Sequence, residues 1–369
     1  MADGIMATQE FETALEWQAA HAEENGAPCT ARVVRALAEV RKGDTATGRR
    51  IANWQGLTLK DAMPLRMTGG LHHLFLTGED DRLAQVYSGE ITDQGEIDRL
   101  VCDLVERFDA LLLPWLDGPP QTNEAGRSAS IMAGLLWLAQ RVSPRFELFE
   151  LGASAGVNTM LGRYHFTLGS TQVGPAGSPM QIRPEWRLSK GLEGAASEIT
   201  SPPPPPPGFA IASVEGCDVT PIDLSDCASA LRLKSYVWPD APARMARIDA
   251  AIQLASQAPP NLVQQDAGAF VEDMLARPQE TGTTRAMFHS IMWQYMPAAT
   301  QDAITRALTD AGAKATPERP LAWVSLETDP ATFRHELHVR RWTGAPDDGE
   351  PVLLCHAHPH GAWVEWSGA

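Results

Sequence analysis

The sequence predicts an α/β chain: a helical N-terminal region, then a mostly parallel sheet with helices on both faces, ending in an antiparallel hairpin. Three observations carry that prediction. Up to about residue 140, apolar residues recur at helical spacing and no period-two run of any length interrupts them. From about residue 209, short apolar runs alternate with helical faces, as in successive βα units. The last two strand-like runs have only a Gly-, Pro- and Asp-rich spacer between them, so they should pair antiparallel.

In the N-terminal region, Phe11, Leu15 and Ala19 mark one helix, and Val33, Val34, Leu37 and Val40 a second. Leu100, Val101, Leu104, Val105, Phe108 and Leu112 form another stripe, which Pro114 limits. Asn123 is placed to cap a further helix, whose apolar face holds Ile131, Leu135 and Leu138. The character changes at Pro144. Residues 146–151 read as a strand that runs into Gly-Ala-Ser-Ala-Gly at 152–156, with a helix start at 157–161. Residues 209–214, 261–265, 285–290 and 321–326 read as the next strands. The helices between them are marked by Met245, Ile248, Ile252 and Ala255, then by Phe270, Val271, Met274 and Leu275. Pro297 and Gly312 bracket a last one. Residues 335–342 and 351–356 form the terminal hairpin, and the six prolines at 202–207 a stiff extended connector.

Composition bounds the function. A chain of 369 residues suggests two domains, and 44% hydrophobic against 21% charged residues is a globular balance. Acidic residues outnumber basic ones 46 to 30, a formal net charge of −16. Such a surface repels phosphate backbones and anionic bilayers, so a small-molecule partner is expected rather than nucleic acid or membrane. Cys29, Cys102, Cys217, Cys227 and Cys355 show no CxxC spacing, which favours reduced thiols and a cytoplasmic location. The first residues carry acids where a leader needs a basic start. No apolar run approaches the roughly 18 residues of a membrane span.

Three strand ends carry the candidate chemistry. Glu150, Gly152, Ser154 and Gly156 lie in Glu-Leu-Gly-Ala-Ser-Ala-Gly, a strand end of small residues that lets backbone approach a ligand. Asp218 ends the next strand in Val-Glu-Gly-Cys-Asp, at the sheet edge where an acid can hold a ribose diol. Asp266 ends the third and can accept from an adenine amino group. For Asp218 and Asp266 the alternative is a plain turn or helix cap.

Together these resemble the class I S-adenosylmethionine-dependent methyltransferases, over roughly residues 121–369. Glu150, Gly152 and Gly156 match that family's first motif, with Ser154 in place of its middle glycine. The resemblance implies a Rossmann-like methyltransferase sheet with a terminal antiparallel hairpin, S-adenosylmethionine as cofactor, and methyl transfer to a small molecule. Asp218 lies far beyond Gly156, which implies an insertion at about 163–208, where 164–168 and 181–188 look strand-like and can pair. The expected division is a helical region over 1–120 and the methyltransferase-like domain over 121–369. The wider chain also resembles an uncharacterised bacterial family, a domain of unknown function. That impression rests on Gln-Thr-Asn-Glu-Ala-Gly-Arg at 121–127, Glu-Leu-Gly-Ala-Ser-Ala-Gly-Val-Asn at 150–158 and Val-Trp-Pro at 237–239. It extends to Met-Phe-His-Ser at 287–290 and Ala-His-Pro-His-Gly at 357–361.

In the resembled fold, Gln121, Asn123, Glu124 and Arg127 would lie over the cofactor's methionine end, where a polar cluster beside an apolar helix suits substrate binding. His289, at the carboxyl end of the fourth parallel strand, is the candidate general base, with Trp293 and Tyr295 as a wall for the acceptor. Two rival readings remain. Gly-Ala-Ser-Ala-Gly is also a G-x-S-x-G elbow, which would make Ser154 an esterase nucleophile with Asp329 or Asp347 and a late His. A non-catalytic binding protein that retains the fold is the other. His356, His358 and His360 share a strand face only without Pro359, so no metal site is expected there, and His72 and His73 diverge.

Overall fold

Arg145–Leu151 (β1) is the axis around which the larger sheet is laid out. It is exposed at its first residue and continuously buried over its last four, as a strand covered on both faces should be. The later strands are His165–Leu168 (β2), Thr171–Val173 (β3), Gln181–Ile182 (β4), Glu185–Leu188 (β5), Ala210–Asp218 (β6) and Leu262–Gln264 (β7). They continue with Thr284–Ser290 (β8), Leu321–Thr328 (β9), His335–Trp342 (β10), Val352–Ala357 (β11) and Trp363–Trp366 (β12). The computed structural model describes residues 11–55, 62–118, 120–190 and 200–368. The reading of the first ten residues as lacking a leader, and positions 191–199 of the expected insertion, lie outside them.

The nine-stranded sheet has the order β5-β12-β11-β10-β9-β8-β1-β6-β7. From β7 to β9 the strands are parallel. β10, β11 and β12 follow as an antiparallel meander, and β5 closes the edge parallel to β12. The chain leaves β1 for β6 on one side and returns to β8 on the other. The carboxyl ends of β1 and β8 therefore flank a topological switch point, where open α/β sheets bind ligands. One face is covered by helices Ala267–Ala276 and Ala298–Gly312, over a core that includes Phe149, Met287, Phe270 and Trp323. Against the other lies Ser128–Ala139, which is buried along its whole length. Gly134 lets that helix close on the sheet, since a Cβ there would stand 3.2 Å from Val324 Cγ1.

The expected mixed α/β architecture with a mostly parallel sheet is present. Four local expectations need correction. The turn after β1 enters a short 3₁₀ helix, Asn158–Arg163, instead of an α-helix. The Tyr164 hydroxyl donates to the Val157 carbonyl, which an α-helix would use for its own ladder. Asn123 does not cap Ser128–Ala139; its side chain turns to the Val157 amide. The strand-like stretch 181–188 splits: β4 pairs with β2 in a small sheet of order β3-β2-β4, whereas β5 joins β12. The terminal hairpin gains a further strand, β12.

The described chain forms two compact units. One comprises Asn123–Ser225 and the residues from Ala250 onward, and holds both sheets. The other runs up to Thr122 and takes in Asp226–Asp249. It is helical, built on Phe11–Glu24, Pro28–Val40, Met63–Leu76 and Gln94–Arg107. The distant segment belongs there for a visible reason. Helix Pro28–Val40 has no side-chain cap of its own, and Asp240 accepts from its Cys29 and Thr30 amides at 2.7 and 3.2 Å. Among the described residues no helix is long and apolar enough to cross a membrane.

Candidate functional site

Glu150 is the penultimate residue of β1 and is 2% exposed. Its Oε2 is buried and has no hydrogen-bond partner. Burial holds its carboxyl well above the usual range. The Asn158 amide beside it and the Arg127 guanidinium pull the other way, and Asp218 adds to the rise. Asn158 itself leaves both Oδ1 and Nδ2 without a partner of proper geometry, and Ser154 leaves Oγ so.

The turn that follows is wound by left-handed residues at alternate positions: Gly152 at φ +63°, Ser154 at +53° and Gly156 at +69°. For Ser154 that conformation costs about 1–2 kcal/mol, so its surroundings must hold it. Asp218, at the end of β6, does so. Its Oδ2 accepts from the Ser154 amide at 2.9 Å, and its Oδ1 from the Thr220 amide at 2.9 Å. The Ala153 amide donates to Cys217 O at 2.9 Å, and Ile222 N to Ser154 O at 3.1 Å. Gly216 permits this crossing, because a Cβ there would meet Ala153 Cβ at 2.7 Å.

The polar stretch before helix Ser128–Ala139 closes on the same turn. Asn123 Oδ1 accepts from the Val157 amide at 2.7 Å, one residue past Gly156. Glu124 Oε1 accepts from Gly126 N at 3.1 Å. Arg127 is nine-tenths buried and spends its donors on Pro359 O at 2.9 Å and Ser290 O at 3.3 Å. Gly126 and Gly361 stand back to back: a Cβ on Gly361 would lie 2.4 Å from Gly126 Cα. This contact explains why Gly-Arg at 126–127 and Pro-His-Gly at 359–361 both carry glycine.

On the other side of β1, β8 ends in His289 and Ser290. His289 is 1% exposed and both ring nitrogens are engaged. Nδ1 lies 2.7 Å from Glu327 Oε1, and Nε2 accepts from Trp323 Nε1 at 2.9 Å. The imidazole therefore carries its proton on Nδ1. Trp293 stacks on it, with centroids 4.9 Å apart, while Tyr295 is 56% exposed. Between them, Met292 lies over the glycine turn: a Cβ on Gly152 would stand 2.8 Å from its Cε.

A family model described as an uncharacterized protein conserved in bacteria, DUF2332, matches residues 12–366. The chain belongs to that family. No curated protein and no solved structure matches it.

In this DUF2332 chain, Glu150, Gly152, Ser154, Gly156, Asp218, Asn123, Glu124 and Arg127 meet at one end of the parallel strands. His289 and Trp293 stand beside them, with His289's lone pair turned to Trp323 instead of the crevice. Asp266 lies two residues past β7 and caps helix Ala267–Ala276, accepting from Gly268 N at 2.8 Å. Gln121 belongs to the other compact unit. Among the described residues no His, Cys, Asp or Glu cluster could hold a metal. Sequence reasoning missed Asn158, Met292 and Glu327. The signal for Glu327 is its place at the end of the strand that begins at Leu321, since strand ends also supply Glu150, Asp218, Asp266 and His289.

Proposed function

We propose that this chain binds S-adenosylmethionine at the carboxyl ends of β1, β6 and β8 and transfers its methyl group to a small molecule. The observation that carries the reading is the set of buried, unpartnered polar atoms after β1: Glu150 Oε2, Ser154 Oγ, and Asn158 Oδ1 and Nδ2. Buried polar groups normally find partners, and each one left without costs about 1–3 kcal/mol. Three such side chains on one nine-residue turn mark the place of a polar ligand. The parallel order β7-β6-β1-β8-β9 supports the reading, because it sets this turn at the switch point.

The residues present fit the group. Glu150 and Asn158 would receive polar atoms of its methionine part. Asp218 and Asp266 each hold backbone amides, yet a carboxylate offers about four acceptor positions, so both retain capacity for ribose and adenine. Gly152 gives room once Met292 moves aside. The cofactor supplies an electrophilic methyl on a sulfonium. The chain's own contribution is alignment: Asn123 and Arg127 fix the turn and the ends of β8 and the 359–361 loop, and Trp293 and Tyr295 flank the acceptor's place.

Calorimetric titration with S-adenosylmethionine and S-adenosylhomocysteine tests this. Binding is expected, weakened about tenfold or more in Asp218→Ala through loss of a charge-assisted hydrogen bond. Absence of binding to either compound would sink the reading, and binding without turnover on any acceptor would favour a ligand-binding role. One observation favours the esterase alternative: Ser154 has the left-handed backbone of a nucleophile elbow. No hydrogen bond reaches its Oγ, which leaves it without a base. Fluorophosphonate labelling of Ser154 would establish that alternative, and no labelling removes it.

A further inference from the structure

A second unsatisfied group is joined to the glycine turn through Met292. Glu327, near the end of β9, uses Oε1 twice: it accepts from His289 Nδ1 at 2.7 Å and from Met292 N at 3.1 Å. Its other oxygen, Oε2, is buried and has no donor. Because Trp323 fixes His289 in the Nδ1–H form, the His–Glu pair brings no positive charge. Among the described residues neither Lys nor Arg pairs with Glu327. Directly opposite on β10 stands a second carboxylate, Glu336, whose neighbours are His356 at 3.3 Å and His338 at 3.7 Å. Like charges facing across a strand pair destabilise it unless a cation comes between.

The surroundings are aromatic. Trp293 stacks on His289 and leans on Trp323, with centroids 5.3 Å apart. The exposed large apolar side chains of this unit, Val219, Tyr295 and Phe333, all follow the carboxyl ends of β6, β8 and β9. Its left-handed non-glycine residues, Ser154, Ile291 and Phe333, sit at the same edge. Such strain gathers where a ligand is handled. A carboxylate oxygen that lacks a donor, beside aromatic faces, suits an ammonium group: its N–H satisfies the oxygen and its charge meets the rings. Met292 links this place to the cofactor crevice, since its amide binds Glu327 and its side chain covers Gly152.

We propose that the methyl acceptor is a primary or secondary amine with an apolar body, received by Glu327 Oε2 beside Trp293. This rests on the methyl-transfer reading. The ammonium first gives one proton to the Glu327 carboxylate. The freed nitrogen lone pair then forms the N–C bond as the C–S bond breaks, its electron pair staying on sulfur as a neutral thioether. The methylated nitrogen takes up the positive charge that sulfur gives up, and the proton on Glu327 leaves to solvent. Glu327 thus takes the role that the sequence suggested for His289, and His289 positions it.

The test is calorimetric titration with 2-phenylethylamine and its neutral isostere 2-phenylethanol, with and without S-adenosylhomocysteine. The amine is expected to bind about tenfold or more tightly than the alcohol, and Glu327→Gln to erase the difference. Gln can still accept from His289 and Met292, and near-ultraviolet circular dichroism of the Trp293–Trp323 pair checks that the site has kept its shape. Should that variant unfold, Glu336→Gln replaces it, with a reduced amine preference expected. An amine bound no better than the alcohol, or a preference unchanged in the folded variant, overturns the inference. Amine preference without any cofactor binding would instead leave Glu327 as an amine site and remove the methyl-transfer reading.

Discussion

Glu150→Gln isolates the energetic cost of the buried acid after β1. The carboxyl is 2% exposed and titrates well above its ordinary value of 4.5, chiefly through burial. The native state therefore holds this proton more tightly than the unfolded chain does. The stability that follows is complete below about pH 4.5 and is lost as pH rises towards the folded-state value. Within that window the slope is about 1.4 kcal/mol per pH unit. Glutamine keeps the shape and cannot ionise. The variant should gain on the wild type with that slope as pH rises through the window. For a unit of this size each pH unit of that slope is worth roughly 3–6 °C in melting temperature. Urea unfolding at several pH values, read as variant minus wild type, measures it. A difference flat with pH refutes the argument. A difference of opposite sign would mean that Glu150 ionises against Arg127 and is stabilised by it.

Gly126→Ala should cost about 1–3 kcal/mol, because the new Cβ would meet His360 O at 2.7 Å and Gly361 Cα at 2.9 Å, both of them backbone. An unchanged unfolding midpoint would disprove the back-to-back contact. His289→Ala strands the Trp323 indole N–H and should lose about 1–3 kcal/mol, whereas His289→Gln can restore an acceptor. Equal stability of the two variants would show that this hydrogen bond carries no weight. In the native protein a disulfide reagent should modify exposed Cys227 first. Cys217 and Cys355, whose thiols burial pushes up to about 12, should react only on unfolding, which peptide mapping by mass spectrometry would follow.

The parallel strands were legible because each is a short apolar run with turn residues at its end. The 3.6-residue stripe at Val33–Val40 likewise gave its helix away, whereas the stripe at Leu100–Leu112 marks helix Gln94–Arg107, which stops at Phe108 ahead of the short Asp109–Leu112 helix and not at Pro114. Helix Met63–Leu76 went unnamed, since it is apolar on several sides and its buried Arg66, Thr68 and His72 blur the stripe. The short 3₁₀ helix after Gly156 could not be foreseen. It depends on Tyr164 and Asn123 reaching Val157, and tertiary partners of that kind leave no local pattern. The same holds for the site. Glu150 and Asp218 were visible as acids at strand ends. That His289 would be locked between Trp323 and Glu327 depended on β8 and β9 being neighbours, with His289 and Ser325 in register. Asp266 reads identically as a cap or a ligand group in sequence, and its capping bonds became visible only in three dimensions.

The edge strand β5 carries a consequence for synthesis. Its only paired neighbour among the described residues is β12, and Trp186 meets Trp366 at 5.7 Å between centroids. From Leu188 to Trp363 the chain runs about 175 residues (363 − 188). At roughly 5–20 residues per second, the ribosome needs roughly 9–35 s to cover that distance. Throughout that interval Glu185–Leu188 has been made and has nothing to pair with, while β1 and β6 can already join. The outer margin of the sheet is thus set last, by a strand that has waited for its partner, and Glu185 and Arg187, paired at 2.7 Å on its surface, keep the waiting segment charged and poorly suited to pairing with another chain.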